Sequence, residues 1–205
     1  MTEIDAKLVM ELRRKTGAGA MDCKEALKAS GGDIEKAKDL LRAQGMKEAA
    51  KKSSRATKAG FIGSYIHHNG NLGVIVEVLC ETDFVARNDK FREMCKGIAM
   101  HIAAKAGGGT APICITREKV PADLIAREKA IYEQQVVDKP APMREKIVQG
   151  KVETFFKERV LLDQEYAMDP AQGTVGNMLK QAVLSIGENL VIRRFACFSV
   201  GDEVE

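Results

Sequence analysis

Phe61-Ile62-Gly63-Ser64-Tyr65-Ile66-His67-His68, then Asn69-Gly70-Asn71, then Leu72-Gly73-Val74-Ile75-Val76-Glu77-Val78-Leu79-Cys80 is the stretch on which the fold turns. Asn-Gly supplies the positive φ angles of a tight turn, so the flanking runs are expected to pair as an antiparallel hairpin. In the return strand Leu72, Val74, Val76, Val78 and Cys80 recur at period two and share one face. Glu77 interrupts the other face, which is expected to be less buried. Leu190 to Val200 reads as a third strand. Helical patterns lie before the hairpin and between it and the last strand, without strand–helix alternation, so a doubly wound sheet is not expected. The expected class is α+β: a small antiparallel sheet of three strands with helices packed on one face.

Upstream of the hairpin, residues 1–45 read as a bundle of three short helices. Ile4, Leu8 and Leu12 form one stripe, and Thr16-Gly17-Ala18-Gly19 stops the first helix. Asp22, with Glu25 three residues on, is expected to cap the second. Ser30-Gly31-Gly32 ends it, and Asp33 caps a third helix with Ile34, Ala37, Leu40 and Leu41 inward and Gly45 at its close. Residues 46–60 are expected to be a basic linker helix on which Lys47, Lys51, Arg55 and Lys58 share a face. That face is either a solvated surface or a contact for acidic protein or RNA. Residues 61–205 form the remaining core domain.

Downstream, Glu81-Thr82-Asp83-Phe84-Val85-Ala86 joins the return strand to a helix marked by Phe91, Met94, Cys95, Ile98 and Ile102. Gly107-Gly108-Gly109 ends that helix. Pro121 suits the start of another running to Val137, Lys139-Pro140-Ala141-Pro142 is a turn, and a further helix carries Ile147, Val148, Val152, Phe155 and Phe156 across Gly150. Thr174 is expected to cap a last helix bearing Val175, Leu179, Ala182 and Ile186. The acidic end Asp202-Glu203-Val204-Glu205 is expected to fray.

Composition removes several function classes. A hydrophobic share of 45% provides for a real core. The 32 basic and 29 acidic side chains nearly balance, whereas a phosphate-binding surface shows as a concentrated basic excess. Aromatics are 5% and Trp is absent, which weakens base stacking, so no direct nucleic-acid partner is expected. Cys23, Cys80, Cys95, Cys114 and Cys197 are odd in number and contain no C-x-x-C pair, against a disulfide framework or a zinc site. Reduced thiols, an acidic start at Met1-Thr2-Glu3-Ile4-Asp5 and no apolar run near the roughly 20 residues of a membrane helix lead us to expect a cytoplasmic protein with no membrane contact.

No catalytic constellation is legible. His67 and His68 are adjacent and point to opposite faces of a strand, so they cannot share a metal without distortion. The G-x-S-x-G, H-E-x-x-H and G-x-x-x-x-G-K-[ST] patterns are missing from the chain. Neither an enzyme nor a bound cofactor or metal is expected. What remains are surfaces. Met21 beside small residues is either a partner contact or a plug in the helical core. Phe84, at a strand–helix junction, is either a core residue with Asp83 as helix cap or a ring offered outward to a partner.

Leu12-Arg13-Arg14-Lys15-Thr16-Gly17-Ala18-Gly19-Ala20-Met21-Asp22-Cys23-Lys24-Glu25-Ala26-Leu27 resembles the N-terminal signature of the bacterial elongation factor Ts family. Ser64-Tyr65-Ile66-His67-His68, Glu81-Thr82-Asp83-Phe84-Val85-Ala86, Glu145-Lys146-Ile147-Val148-Gln149-Gly150-Lys151 and Ile192-Arg193-Arg194-Phe195 resemble later blocks of the same family in the same order. The resemblance implies an exchange factor for elongation factor Tu, the GTPase that delivers aminoacyl-tRNA. It implies a ubiquitin-associated-like N-terminal bundle that docks on the GTPase through Arg13, Ala20 and Met21, with Ala20 where the family usually has Met. It implies that Thr82, Asp83, Phe84 and Val85 enter the partner beside its magnesium site. Only one core half is visible, as in a short family form, so a symmetric homodimer through the core is expected, with Cys197 of the last strand near that interface.

Overall fold

Period-two and period-3.6 patterns give the elements expected of them, with boundaries moved by packing. The computed structural model describes residues Ile4–Asp202; the last three residues of the acidic tail lie outside the described residues. In chain order the elements are α1 (Ala6–Thr16), α2 (Ala20–Ala29), α3 (Ile34–Lys52), β1 (Ala59–Ile66), β2 (Leu72–Cys80), the one-turn α4 (Asp83–Ala86), α5 (Asp89–Gly107), α6 (Ala122–Gln134), α7 (Ala141–Arg159), α8 (Val175–Ile186) and β3 (Val191–Ser199). The strands form one sheet in the order β1-β2-β3. The class is α+β, a three-stranded antiparallel sheet packed by helices.

The chain divides into two compact units. One comprises the residues up to Ile62 with Glu77–Met94 and Asn177–Ile192; the other comprises Gly63–Val76, Cys95–Gly176 and the residues from Arg193 onward. In the first unit α1, α2 and α3 enclose Leu12, Cys23, Ala26, Leu27, Ala37 and Leu41. Asp33 caps α3 as expected, accepting from the Lys36 amide at 3.0 Å. Three local expectations give way. Helix α2 starts at Ala20 with Gly19 as its N-cap, so Asp22 is not the cap. It lies in the first turn and accepts from Gln44 Nε2 at 3.3 Å. Leu40 is 42% exposed and leaves the inner stripe to Ile34, Ala37 and Leu41. Gly45 does not end α3. The helix continues to Lys52, and a Cβ at Gly45 would stand 3.4 Å from the Lys180 carbonyl oxygen, so a small residue there admits the backbone of α8. The expected 46–60 linker helix is therefore the last turns of α3, a short irregular joint and the first residues of β1. Arg55 and Lys58 lie beyond the helix end, and Glu48 pairs with Lys51 at 2.8 Å and Lys52 at 4.0 Å.

In the second unit the hairpin turns differently from the expected tight Asn-Gly pair. The His67 amide donates to the Leu72 carbonyl at 2.8 Å, which leaves a four-residue loop. Gly70 alone takes a left-handed φ, of 73°. The pairing of 67 with 72, and of Val200 with Asn71 at 2.9 Å, sets Ile66, Gly73 and Phe198 abreast on one face of the sheet. Ile66, Ile75 and Phe198 are exposed there, Phe198 by 67%. The opposite face carries Val74, which is buried, and the half-buried Cys197 across from it.

Helix α5 approaches β1 where β1 has no side chain. A Cβ on Gly63 would lie 2.6 Å from the Cys95 carbonyl oxygen and 2.9 Å from its Cβ. Backbone cannot yield there, so Gly63→Ala is expected to destabilise the fold by about 1–3 kcal/mol, as overpacking does. Urea unfolding at neutral pH checks this. Further along α5, His101 is fully buried. Its Nδ1 accepts from the Ala167 amide at 3.1 Å, which leaves Nε2 as the donor to Gln164 Oε1 at 3.0 Å. Gln164 in turn donates to the carbonyls of Thr110 and Glu158 at 2.9 and 2.6 Å. One histidine and one glutamine thus tie α5 to the segments around α7. The Lys139–Pro142 turn is shorter than expected, because α7 begins at Ala141 and takes Pro142 into its first turn, where a missing N–H costs nothing.

Candidate functional site

The end of β2 and the start of α5 are joined by a corner whose residues fold locally. Thr82 is extended, at φ −124° and ψ 155°, and its hydroxyl oxygen accepts from the Val85 amide at 3.3 Å. Thr82, not Asp83, is therefore the N-cap of α4. Asp83 occupies the first turn and pairs with Arg87 across one turn at 2.8 Å, both side chains well exposed. A single turn has two faces. Val85 points inward and is buried, whereas Phe84 is 80% exposed. Of the two readings of Phe84, the outward ring is the one found. Its position does not follow from a mobile loop. The Arg87 amide donates back to Asp83 and Phe84 carbonyls, the Asn88 amide to Val85 at 2.9 Å, and Arg92 Nε to Ala86 at 3.1 Å.

The corner is also held from a distant part of the chain. Gly187 ends α8, and the next residue, Glu188, brings its carboxylate to the corner. Oε2 accepts from the Glu81 amide at 2.9 Å and the Thr82 amide at 3.1 Å, and Oε1 accepts from the Thr82 hydroxyl at 2.6 Å. Charge-assisted hydrogen bonds of this kind are shorter and stronger than neutral ones. The reciprocal contact runs from the Asn189 amide to Glu81 Oε1 at 2.6 Å. The Asn189 side chain, itself buried, donates to the carbonyls of Ser53 and Arg55 at 3.4 and 2.9 Å, and Arg55 reaches Glu81 at 3.5 Å. Below the corner the Cys80 thiol donates to the Thr82 carbonyl at 3.2 Å. Burial pushes the Cys80 thiol up to about 11, and the negative charge of Glu188 adds to the effect, so it stays protonated and able to donate. Sequence reasoning missed Glu188 and Asn189. Gly187 reads only as a turn, and nothing local ties that turn to a strand end more than a hundred residues earlier.

The residues expected to dock are on the helical bundle. Arg13 is exposed at the end of α1, Ala20 is exposed as the first residue of α2, and Met21 is 69% exposed beside it. Met21 is thus not a plug in the core, which Cys23, Ala26 and Leu27 supply from the same helix. Among the described residues no group of His, Cys, Asp or Glu is arranged to hold a metal ion. The arrangement offers an aromatic ring on a braced turn and an apolar spot on a three-helix bundle. Both are suited to contact with another protein.

The family described as "Elongation factor TS" matches residues 19–184. The chain is 50% identical over 202 residues to a protein of Fervidobacterium nodosum named "Elongation factor Ts", covering 98% of this chain and 100% of that protein. It is 52% identical over 204 residues to the protein of that name from Desulfosudis oleivorans, covering 98% and 100%. It is 49% identical over 207 residues to the one from Synechococcus elongatus, covering 100% of this chain and 91% of the relative.

Proposed function

The chain belongs to the elongation factor Ts family, and we propose from this how its residues do the family's work. It is a guanine-nucleotide exchange factor for elongation factor Tu in translation elongation. It acts without making or breaking covalent bonds, in the cytoplasm. Among the described residues no helix is long and apolar enough to cross a membrane.

Arg13, Ala20 and Met21 on the bundle dock on the GTPase, and Thr82, Asp83, Phe84 and Val85 enter it beside the magnesium site. The observation that carries this reading is the 80% exposure of Phe84 on a turn braced from several sides. An exposed ring on a fixed support loses little freedom when a partner buries it. Burial of such a ring is worth roughly 1.5–3 kcal/mol, which offsets a shift of the groups that hold the magnesium ion. A GTPase binds GDP largely through phosphate-loop amides and that ion, so loss of the ion frees the nucleotide. By linkage, GDP and the factor weaken each other equally. The factor therefore speeds release without selecting the nucleotide that follows; the cellular excess of GTP does that. Stopped-flow release of a fluorescent GDP from elongation factor Tu, with this protein and with its Phe84→Ala form, tests the reading.

We further propose that two copies associate through the face that carries Ile66, Ile75 and Phe198, each supplying the core half the other lacks. That face is apolar and uncovered in the single chain, and a self-complementary patch is what a twofold dimer needs. Phe198→Lys is expected to convert a dimer into a monomer in sedimentation velocity at micromolar concentration. A parent protein that sediments as a monomer counts against the proposal.

A further inference from the structure

The bracing of the Thr82–Val85 corner by the joint between α8 and β3 goes beyond what its own residues explain. A turn of four residues, Asp83–Ala86, is too short to be stable alone. Its N-cap hydroxyl faces two demands, since Thr82 Oγ1 accepts from Val85 and donates to Glu188. Both backbone amides that precede the turn, of Glu81 and Thr82, end on the same Glu188 oxygen. Asn189 then joins this point to the carbonyls of Ser53 and Arg55, just after α3.

We propose that Glu188, with Asn189, is a positioning residue for nucleotide exchange: it fixes the direction in which α4 presents Phe84, and thereby sets the maximal exchange rate. The inference rests on the wedge role of Phe84 given above. Without the carboxylate, the two amides and the hydroxyl turn to water, and the turn samples other orientations. In the complex already docked through the helical bundle, the corner is then productive for only part of the time, and the maximal rate falls by that fraction. Glu188 itself need touch neither the partner nor the nucleotide.

The test compares the parent with Glu188→Ala, Glu188→Gln and Phe84→Ala, each full length, by release of fluorescent GDP over a range of factor concentrations. Glu188→Ala is expected to lower the maximal rate about tenfold while the half-saturating concentration changes less than threefold. Amide hydrogen exchange at Glu81 and Thr82 is expected to quicken at least tenfold. Glu188→Gln, which keeps an acceptor for the two amides, is expected to recover most of the rate. A purely structural role gives a different split. It reduces the folded fraction, so the apparent half-saturating concentration rises while the maximal rate stays at the parent value. That split overturns the inference, as does a maximal rate unchanged in Glu188→Ala whose Glu81 and Thr82 amides exchange freely. Should Glu188→Ala fail to fold, Asn189→Ala decides in its place by the same split, because Asn189→Ala leaves the carboxylate intact but frees the joint behind it. A Phe84→Ala factor that releases GDP as fast as the parent sinks the wedge reading itself, whatever Glu188 does.

Discussion

Phe84→Ala is expected to slow GDP release from elongation factor Tu by about 10- to 100-fold at saturating factor while leaving the fold in place. The size follows from the ring. Burying it in a partner is worth roughly 1.5–3 kcal/mol, and each 1.4 kcal/mol is a factor of ten in rate. The selectivity follows from exposure. The ring contributes little to its own fold when 80% of it faces solvent, and surface substitutions usually stay within about 0.5 kcal/mol. Thermal unfolding of the variant is therefore expected to match the parent, and stopped-flow traces are expected to differ in rate rather than amplitude. A variant that exchanges at the parent rate removes the wedge, and a variant that unfolds early means that the ring also holds its own chain together.

Acid is expected to weaken the fold through His101, by about 3 kcal/mol between pH 6.5 and 4. Burial holds this imidazole down to about 4 from the usual 6.5, with the positive charge of Lys105 acting the same way and the Gln164 hydrogen bond acting against them. The neutral ring suits its surroundings. Nδ1 faces an amide hydrogen, so a second proton there has nothing to bond and meets a like dipole. In the unfolded chain the ring binds a proton below about 6.5, and in the folded chain it refuses one until about 4. Stability is thus complete above about 6.5 and drains as pH falls toward 4, at roughly 1.4 kcal/mol per pH unit. Urea unfolding at a series of pH values measures the slope. In His101→Gln, which cannot titrate, the difference from the parent is expected to shrink as pH falls through the same window. A parent curve with the slope of the variant contradicts the assignment.

The hairpin, the helices and the class of fold were legible because period two and period 3.6 report burial directly. Val74, Val76, Val78 and Cys80 are all buried, and so are Phe91, Cys95, Ile98 and Ile102. What local reading got wrong is where a residue serves another element. Gly45 reads as a helix stop by its propensity, yet it is a contact with the α8 backbone that no neighbour in sequence announces. Asp22 and Asp83 read as caps by residue type. The real caps, Gly19 and Thr82, are set by the backbone angles of the preceding loop and by a carboxylate from the far end of the chain. Leu40 fell outside the core because α3 turns its stripe toward Ala37 and Leu41. The family blocks brought out Thr82–Val85 and the bundle residues. Glu188 and Asn189 belong to the same corner, but their partners lie more than a hundred residues away and leave no local pattern.

The thiol beneath the corner has a consequence for chemical durability. Burial and the charge of Glu188 hold the Cys80 proton up to about 11, so very little of this thiol is ionised at neutral pH. Peroxides and alkylating electrophiles attack the sulfur anion, so they find almost nothing to react with at the spot that steadies the Phe84 ring. Buried and protonated, the Cys80 thiol is expected to resist alkylating reagents for as long as the fold around the Phe84 turn stays closed.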